Sequence, residues 1–164
     1  MAIETKRAVL ADLPRIVEIY NSTVASRQVT ADTEPVTVES RTAWFNNHSD
    51  KRPIFLFLQD GETVGWLSFE TFYGRRAYNK TVEVSLYLDE QFRGRGIGQQ
   101  AVAMMKDIAA TLDIETLLAF VFSHNTRALK LFGRNGFEEY GRLPDVAVMD
   151  GDKYSLSILG FKLD

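Results

Sequence analysis

Apolar residues along the chain repeat at two spacings, one typical of helices and one typical of strands. Leu13, Ile16, Val17, Tyr20 and Val24 share one face of a helix that begins near residue 12. Shorter apolar runs, bounded by turn signals, predict strands. In chain order, the predicted strands cover residues 3–9, 54–58, 63–72, 81–88, 116–121, 137–143 and 154–161, and the further helices cover residues 37–47, 97–112 and 126–134.

The order of these elements predicts the fold class. One strand, two helices, three strands, a helix, a strand, a helix and two strands make a mixed α/β pattern, for which we expect a mixed sheet with helices on both faces. At 164 residues, 45% of them apolar, the chain is long enough for one sizeable core and too short for two ordinary domains. We therefore expect residues 1–164 to form a single domain.

Composition and charge narrow the classes of partner. The formal charge is -3, whereas proteins that bind nucleic acids or anionic membranes favour a basic face, so we expect neither as a partner. No run of about 18 apolar residues occurs, and we expect a cytoplasmic protein. The chain has no cysteine and its two histidines, His48 and His124, are isolated, so we expect no metal site.

A glycine-rich segment joins a predicted strand to the start of a predicted helix. Backbone N–H groups in the first turn of a helix are unpaired, and glycines let a phosphate approach them closely. The glycine spacing fits neither the Rossmann nor the Walker pattern, and the alternative interpretation is a tight turn with solvated arginines. The candidate site for a diphosphate consists of Arg93, Gly94, Arg95, Gly96, Ile97, Gly98 and Gln99.

This segment resembles the coenzyme A loop of the Gcn5-related N-acetyltransferases (GNAT), which reads Arg/Gln-x-x-Gly-x-Gly/Ala. Arg93, Gly96 and Gly98 match that pattern, and the family's order of strands and helices covers nearly the whole chain. The resemblance is closest to the phosphinothricin acetyltransferase-like branch. The residues that carry it are Thr30 to Pro35, Trp44-Phe45, Gly65-Trp66, Ala77-Tyr78 and Thr81-Val82-Glu83.

The resemblance implies a fold and a cofactor. We expect a central, mostly antiparallel sheet of about seven strands flanked by about four helices, with a splayed cleft for acetyl-CoA. The backbone of Leu86, Tyr87 and Leu88 would pair with the pantetheine arm, and the glycine loop would hold the diphosphate. Asn125 would hydrogen-bond the cofactor with Arg134 nearby, although Asn125 alone also fits a helix cap. The family also implies a homodimer.

Glu83 is the candidate catalytic base. Strand alternation places it with Ser85 and Tyr87, on the face opposite Val82 and Val84. The strand advances about 16 Å from Glu83 to Leu88, comparable to the length of a pantetheine arm, so the thioester would end near Glu83. The branch carries its proposed base there; the alternative interpretation is a solvated glutamate. A backbone N–H near Leu86 is the candidate oxyanion donor.

Phe132 departs from the family pattern, because many members have a tyrosine there that protonates the leaving thiolate and this branch often has a histidine. Phenylalanine cannot donate a proton. The departure supports a competing hypothesis, a domain that binds acetyl-CoA as a sensor and transfers nothing. Phe132 also fits the apolar face of the last helix with Ala128 and Leu129, and we favour this core role.

The acceptor predicted by the resemblance is a small-molecule amine, first an amino acid or an analogue such as phosphinothricin or methionine sulfoximine. Arg75 and Arg76 are candidates for binding its carboxylate, and Tyr78 for walling its pocket; solvated turn residues are the alternative. The branch's C-terminal Trp-x-Asp element is absent, and residues 150–154 read Asp-Gly-Asp-Lys-Tyr instead. Another amine, such as a polyamine, an aminoglycoside or a peptide N-terminus, therefore stays open.

Overall fold

A computed structural model of the protein describes residues 2–163 and confirms the predicted element order. The terminal residues of the predicted domain, 1 and 164, lie outside the described residues. The helices are α1 (Leu13–Ser22), α2 (Val38–Asn46), α3 (Ile97–Ala110) and α4 (Thr126–Arg134). The strands are β1 (Glu4–Arg7), β2 (Ile54–Gln59), β3 (Glu62–Thr71), β4 (Thr81–Leu88), β5 (Thr116–Phe122), β6 (Glu138–Met149) and β7 (Asp152–Lys162).

The strands of this described part form one seven-stranded sheet in the order β1-β2-β3-β4-β5-β7-β6. Neighbouring strands run antiparallel except β4 and β5, which run parallel and are connected through α3. The predicted mixed, mostly antiparallel sheet is therefore confirmed. No helix within residues 2–163 combines the length and the apolar character needed to cross a bilayer.

Helices cover both faces of the sheet, as the alternating pattern predicts. On one face, α3 and α4 pack against a cluster that includes Leu67, Val82 and Val84. On the other face, α1 and α2 pack against a cluster that includes Leu56 and Trp66. Because successive strand residues point to opposite faces, β4 contributes its valines to the first layer and Tyr87 to the second.

The parallel pair β4 and β5 separates halfway along its length. Their pairing ends at Val84 and Ala119, while β4 continues along β3 as far as Leu88 and β5 continues along β7 as far as Phe122. The two strands therefore diverge within a continuous sheet and leave a gap between them. This gap is the splayed cleft that the sequence resemblance predicts.

Gly65 allows β3 to lie close to β4 where the gap is open. A Cβ atom at residue 65 would stand 2.8 Å from the carbonyl oxygen of Tyr87 and 2.6 Å from Cδ2 of Leu88. A side chain there would have to displace backbone, which is costly in a packed interior. Gly65 therefore fixes the position of the β4 segment that borders the gap.

The C-terminal hairpin is longer than the sequence predicted. The prediction ended β6 at residue 143 and began β7 at residue 154, but the strands extend to Met149 and from Asp152. Pro144 lies inside β6, and β6 is an edge strand of the sheet, where proline is tolerated; its register shifts between Leu143 and Ala147. Asp150 and Gly151 both have positive φ angles, which suits a tight hairpin turn.

Candidate functional site

The gap between β4 and β5 opens into a cleft of about 450 Å³, a volume within the range of small-molecule sites. Its walls are residues 83–88 of β4, residues 119–121 of β5, and residues 125–128, 131 and 132 at the start and along one face of α4. The connection between α1 and α2 contributes Thr23, Gln28 and Val29. The cleft thus joins all the elements around the strand separation.

The structure brings part of the predicted cofactor set into this cleft. Leu86, Tyr87, Leu88, Arg93 and Asn125 line it. The Asn125 side chain caps α4, because its Oδ1 accepts a hydrogen bond from the N–H of Ala128 at 3.1 Å. The cap alternative is therefore observed, and a contact from Asn125 to a cofactor stays a prediction.

The remaining loop residues surround the N-terminus of α3, beside the cleft. Gly94 and Gly96 have φ angles of +78° and +72°, a conformation that favours glycine, and Gly96 provides no side-chain cap for the helix. The first N–H groups of α3 therefore suit an anion. Gly98 also permits helix packing, since a Cβ there would stand 3.0 Å from Leu131. Gly94, Arg95, Gly96, Ile97, Gly98 and Gln99 do not line the cleft itself.

A second arginine near Arg93 escaped the sequence analysis. Arg127, in the first turn of α4, lines the cleft, and burial together with the charge of Arg127 lowers the pKa of Arg93. Two neighbouring guanidinium groups repel each other and favour an anion between them. Arg134, the predicted basic residue, is exposed at the end of α4 and does not line the cleft, so its role stays a prediction.

Glu83 lies at the point where β4 and β5 begin to separate. It pairs with Leu118 of β5 on one side and stands directly opposite Glu70 of β3 on the other. Burial, and secondarily the negative charge of Glu70, raise the pKa of the Glu83 carboxyl. Within residues 2–163 no ion pair involves Glu83, so its environment differs from that of a solvated, paired glutamate.

Phe132 occupies the core as well as the cleft wall. It is 6% exposed, and its ring contacts Phe137 edge-to-face with centroids 4.9 Å apart. The core alternative for this residue is thus the one that the structure supports. Its hydrocarbon ring supplies no proton to the cleft.

The predicted acceptor residues lie in the connection between β3 and β4, away from the cleft. Arg75, Arg76 and Tyr78 are exposed, and Tyr78 packs against Tyr73 with ring centroids 5.3 Å apart. None of the three lines the cleft or the neighbouring cavity. Their role in binding an acceptor stays a prediction.

A second cavity, of about 220 Å³, lies between the sheet and helices α1 and α2. It meets the cleft at Ser85 and Tyr87, which line both spaces. Trp66, an aromatic residue of β3, lines it, while Arg41 and Glu70 are charged residues that the sequence analysis missed. Little in the sequence indicates either residue. Arg41 lies on a helix of ordinary composition, and Glu70 stands opposite Glu83 only because of the register of β3 and β4.

Comparison with known proteins gives consistent results. Residues 16–137 match the family model described as "Acetyltransferase (GNAT) family". The chain is 53% identical over 153 residues to the Bacillus subtilis protein named "Putative phosphinothricin acetyltransferase YwnH", covering 93% of this chain and 94% of that protein. It is 30% identical to the L-methionine sulfoximine/L-methionine sulfone acetyltransferase of Pseudomonas aeruginosa, covering 100% of this chain and 96% of that enzyme.

One of the similar solved structures contains a bound cofactor. The crystal structure of a GNAT superfamily phosphinothricin acetyltransferase from Sinorhizobium meliloti, in complex with acetyl-CoA, superposes with a TM-score of 0.91 at 25% identity. The match covers 99% of this chain and 89% of that one. The two chains therefore share their fold over almost their full length.

The raised pKa of Glu83 predicts a pH-dependent cost in stability. The folded protein binds a proton at Glu83 more tightly than the unfolded chain does, so its ionisation destabilises the fold as pH rises above the ordinary value of 4.5. We expect Glu83→Gln to raise the Tm above neutral pH and the difference to vanish below pH 4.5, where both side chains are neutral. Thermal unfolding checks this, with Glu62→Gln on the exposed end of β3 as the control. A Tm of Glu83→Gln at or below wild type above neutral pH contradicts the expectation.

Proposed function

The chain belongs to the acetyltransferase (GNAT) family, and on that premise we propose that it works as a single cytoplasmic domain that transfers the acetyl group of acetyl-CoA to the amino group of a small molecule. The acceptor is an amino acid or an analogue such as phosphinothricin or methionine sulfoximine. The names of two relatives support that class. The pairing of strands from near both ends of the chain in one sheet supports a single domain.

The observation that carries this proposal is a half-buried glutamate at the closed end of the strand separation. Beyond Val84 and Ala119, the facing edges of β4 and β5 no longer hydrogen-bond to each other. An extended chain of amides, such as a pantetheine arm, fits between such edges. An arm lying along β4 would end at Glu83, the first residue with a carboxylate on that path.

Glu83 has the properties that a general base needs. An amine attacks a thioester only after its ammonium form has lost a proton, and a carboxylate near the reacting atoms can accept that proton directly or through one water. Burial raises the pKa of Glu83, which makes it a stronger base than an exposed glutamate. Acetyl-CoA, when bound, supplies the activated carbonyl carbon. Because the chain has no cysteine, no thioester can form on the protein, and this supports direct transfer.

Phe132 is the residue that supports the competing function, acetyl-CoA binding without transfer. The core position of Phe132 leaves no side-chain acid at the place where many family members have one, which favours water as the proton donor to the leaving thiolate. A domain that binds acetyl-CoA without transferring it would have the same cleft. A general base works better with a raised pKa, and the pKa of Glu83 is raised by burial. This is the specific observation that favours catalysis.

We propose that the protein also forms a homodimer through the edge strand β6. This strand is an edge of the sheet, with backbone groups free to pair with another strand. It also exposes apolar side chains, which a dimer interface would remove from water. Light scattering tests the proposal: the expected mass is twice 18.6 kDa, and Val148→Lys should reduce it to the monomer mass. A wild-type protein of monomer mass contradicts it. The exposed residues are Tyr140, Leu143, Val146 and Val148.

The transfer reaction is tested by following coenzyme A thiol with acetyl-CoA and a panel of amino acids, sulfoximines, polyamines and aminoglycosides. We expect amine-dependent thiol release by the wild type, strongest with an amino acid or analogue. We expect Glu83→Gln to slow it by about 10²- to 10⁴-fold, the usual contribution of a general base. Glu62→Gln, on the same sheet but exposed, should retain wild-type rates.

Equilibrium dialysis with acetyl-CoA separates the outcomes. Glu83→Gln should bind the cofactor as tightly as wild type, because the side chain acts on the acceptor. Cofactor binding without thiol release for any amine would support the sensor hypothesis instead. Absence of cofactor binding by the wild type would contradict both functions.

A further inference from the structure

Two carboxylates stand side by side where β4 and β5 begin to separate. Glu70 of β3 is the direct cross-strand partner of Glu83 of β4, so both side chains project from the same face of the sheet. We propose that Glu70 is a positioning residue for acetyl transfer, and that its carboxylate strengthens Glu83 as a proton acceptor. The proposal rests on the proposed function and gives a residue of the neighbouring strand a part in it.

The two carboxylates are close together and partly shielded from water. Residues directly opposite on antiparallel strands have Cβ atoms about 5 Å apart, and like charges in that position destabilise each other. Glu70 and Glu83 are both half-buried, so solvent screens their repulsion less than it would at an exposed site. Glu70 lines the cavity and Glu83 lines the cleft, two spaces that adjoin each other. The charge of Glu70 therefore acts on Glu83 at the inner end of the cleft.

Neither carboxylate has a cation to balance it. Among residues 2–163, no ion pair involves Glu70 or Glu83. The hydroxyl of Ser68 donates a hydrogen bond to Oε2 of Glu70 at 3.4 Å, a neutral contact that leaves the negative charge uncompensated. Leu118, beside Glu83 on β5, is apolar. Across the sheet, Glu83 therefore faces a negative charge on one side and an apolar residue on the other.

The other titratable groups around the pair have partners of their own or lie along the cleft. Arg41 pairs with Asp32 at 3.5 Å, and the guanidinium of Arg52 donates to the carbonyl of Asn79 at 2.8 Å. Burial and the charge of Glu70 raise the pKa of Glu83, and none of these other groups contributes to that shift. They are Tyr20 of α1, Asp32 in the connection between α1 and α2, Arg41 of α2, Arg52 before β2, Tyr87 of β4, and Glu90, Arg93 and Arg127 along the cleft.

The repulsion within the pair is relieved as the reaction proceeds. The ammonium of the acceptor gives one proton to Glu83, its nitrogen bonds to the acetyl carbon, and the carbon–sulfur bond breaks. The second proton of the nitrogen leaves with the thiolate as coenzyme A thiol, and Glu83 returns its proton to solvent. Because Glu83 is neutral while it holds the proton, the charge of Glu70 opposes it before the proton transfer and not after. A repulsion that is stronger in the ground state than in the transition state speeds the step.

Carbon-13 NMR of protein labelled at the glutamate carboxyl carbons measures the effect without acceptor or acetyl-CoA. The Glu83 signal is the one that is lost in Glu83→Gln. We expect Glu70→Gln to move the titration midpoint of Glu83 to lower pH, because the neutral amide removes the like charge, and Glu70→Asp to retain part of the wild-type midpoint. Glu62→Gln should leave it unchanged, since Glu62 is exposed on the same strand and stands opposite Gln59.

The pH profile of kcat/KM with acetyl-CoA and L-methionine sulfone measures the same effect in the reaction. The wild-type rate should fall as pH decreases through the raised pKa of Glu83, and in Glu70→Gln that fall should move to lower pH. Above it, Glu70→Gln should be slower by about two- to tenfold, much less than the about 10²- to 10⁴-fold expected for loss of the base. Glu70→Asp should recover part of the rate and of the profile.

A double-mutant cycle measures the repulsion itself. At neutral pH the stabilisations produced by Glu70→Gln and Glu83→Gln in thermal unfolding should sum to more than that of the double variant, because each single change removes the same repulsion. Strictly additive effects would contradict a coupled pair. The cycle also reveals any general loss of structure in the variants.

An unchanged Glu83 midpoint in Glu70→Gln would overturn the proposal. So would a loss of kcat/KM with an unchanged pH profile, which is the result that a structural role or a direct contact of Glu70 with the acceptor would give. If the midpoint moves but no amine releases thiol, the pair is coupled as described and the proposed transfer fails. If thiol release depends on Glu83 but the midpoint does not move, the transfer stands and the role of Glu70 fails.

Discussion

The rest of the site depends on one feature of the sheet, the separation of β4 from β5 after Val84 and Ala119. Up to that pair the two strands are held by parallel pairing, and beyond it each is held only by its outer neighbour. If β4 and β5 stayed paired along their whole length, their backbone N–H and C=O groups would bond to each other and no cleft would form. The separation instead exposes two backbone edges beside Glu83 and brings α4 to the mouth of the gap.

Several interactions hold the free part of β4 in place while its inner edge stays open. Gly65 lets β3 approach the backbone of Tyr87, and Asp89, directly after the strand, accepts a hydrogen bond from Arg15 of α1 at 2.7 Å. The N–H of Asp89 donates to the carbonyl of Val64 at 2.9 Å, so the start of the connection to α3 is tied to β3. The strand, the glycine loop and the first turn of α3 are thereby positioned together.

Residue patterns along the chain were sufficient to predict the helices and strands, but not the register in which the strands pair. The period-two alternation of residues 81–88 correctly placed Glu83, Ser85 and Tyr87 on one face, because strand geometry is local. The register that sets Glu70 opposite Glu83 depends on contacts between β3 and β4, which no single segment encodes. Arg41 and Arg127 reach their positions through helix packing, so they too were invisible until the fold was known. The predicted end of β6 at residue 143 fell directly before Pro144, and whether a strand tolerates proline depends on its being an edge, which only the strand order shows.

The central claim is that the separated edge of β4 receives the cofactor and delivers its thioester to Glu83. A crystal structure of this protein with acetyl-CoA tests it most directly. We expect amide groups of the pantetheine arm to hydrogen-bond to the backbone of residues 85–88, with the acetyl group within hydrogen-bonding reach of Glu83 directly or through one water. An arm that lies outside the gap, or an acetyl group remote from Glu83, would contradict it.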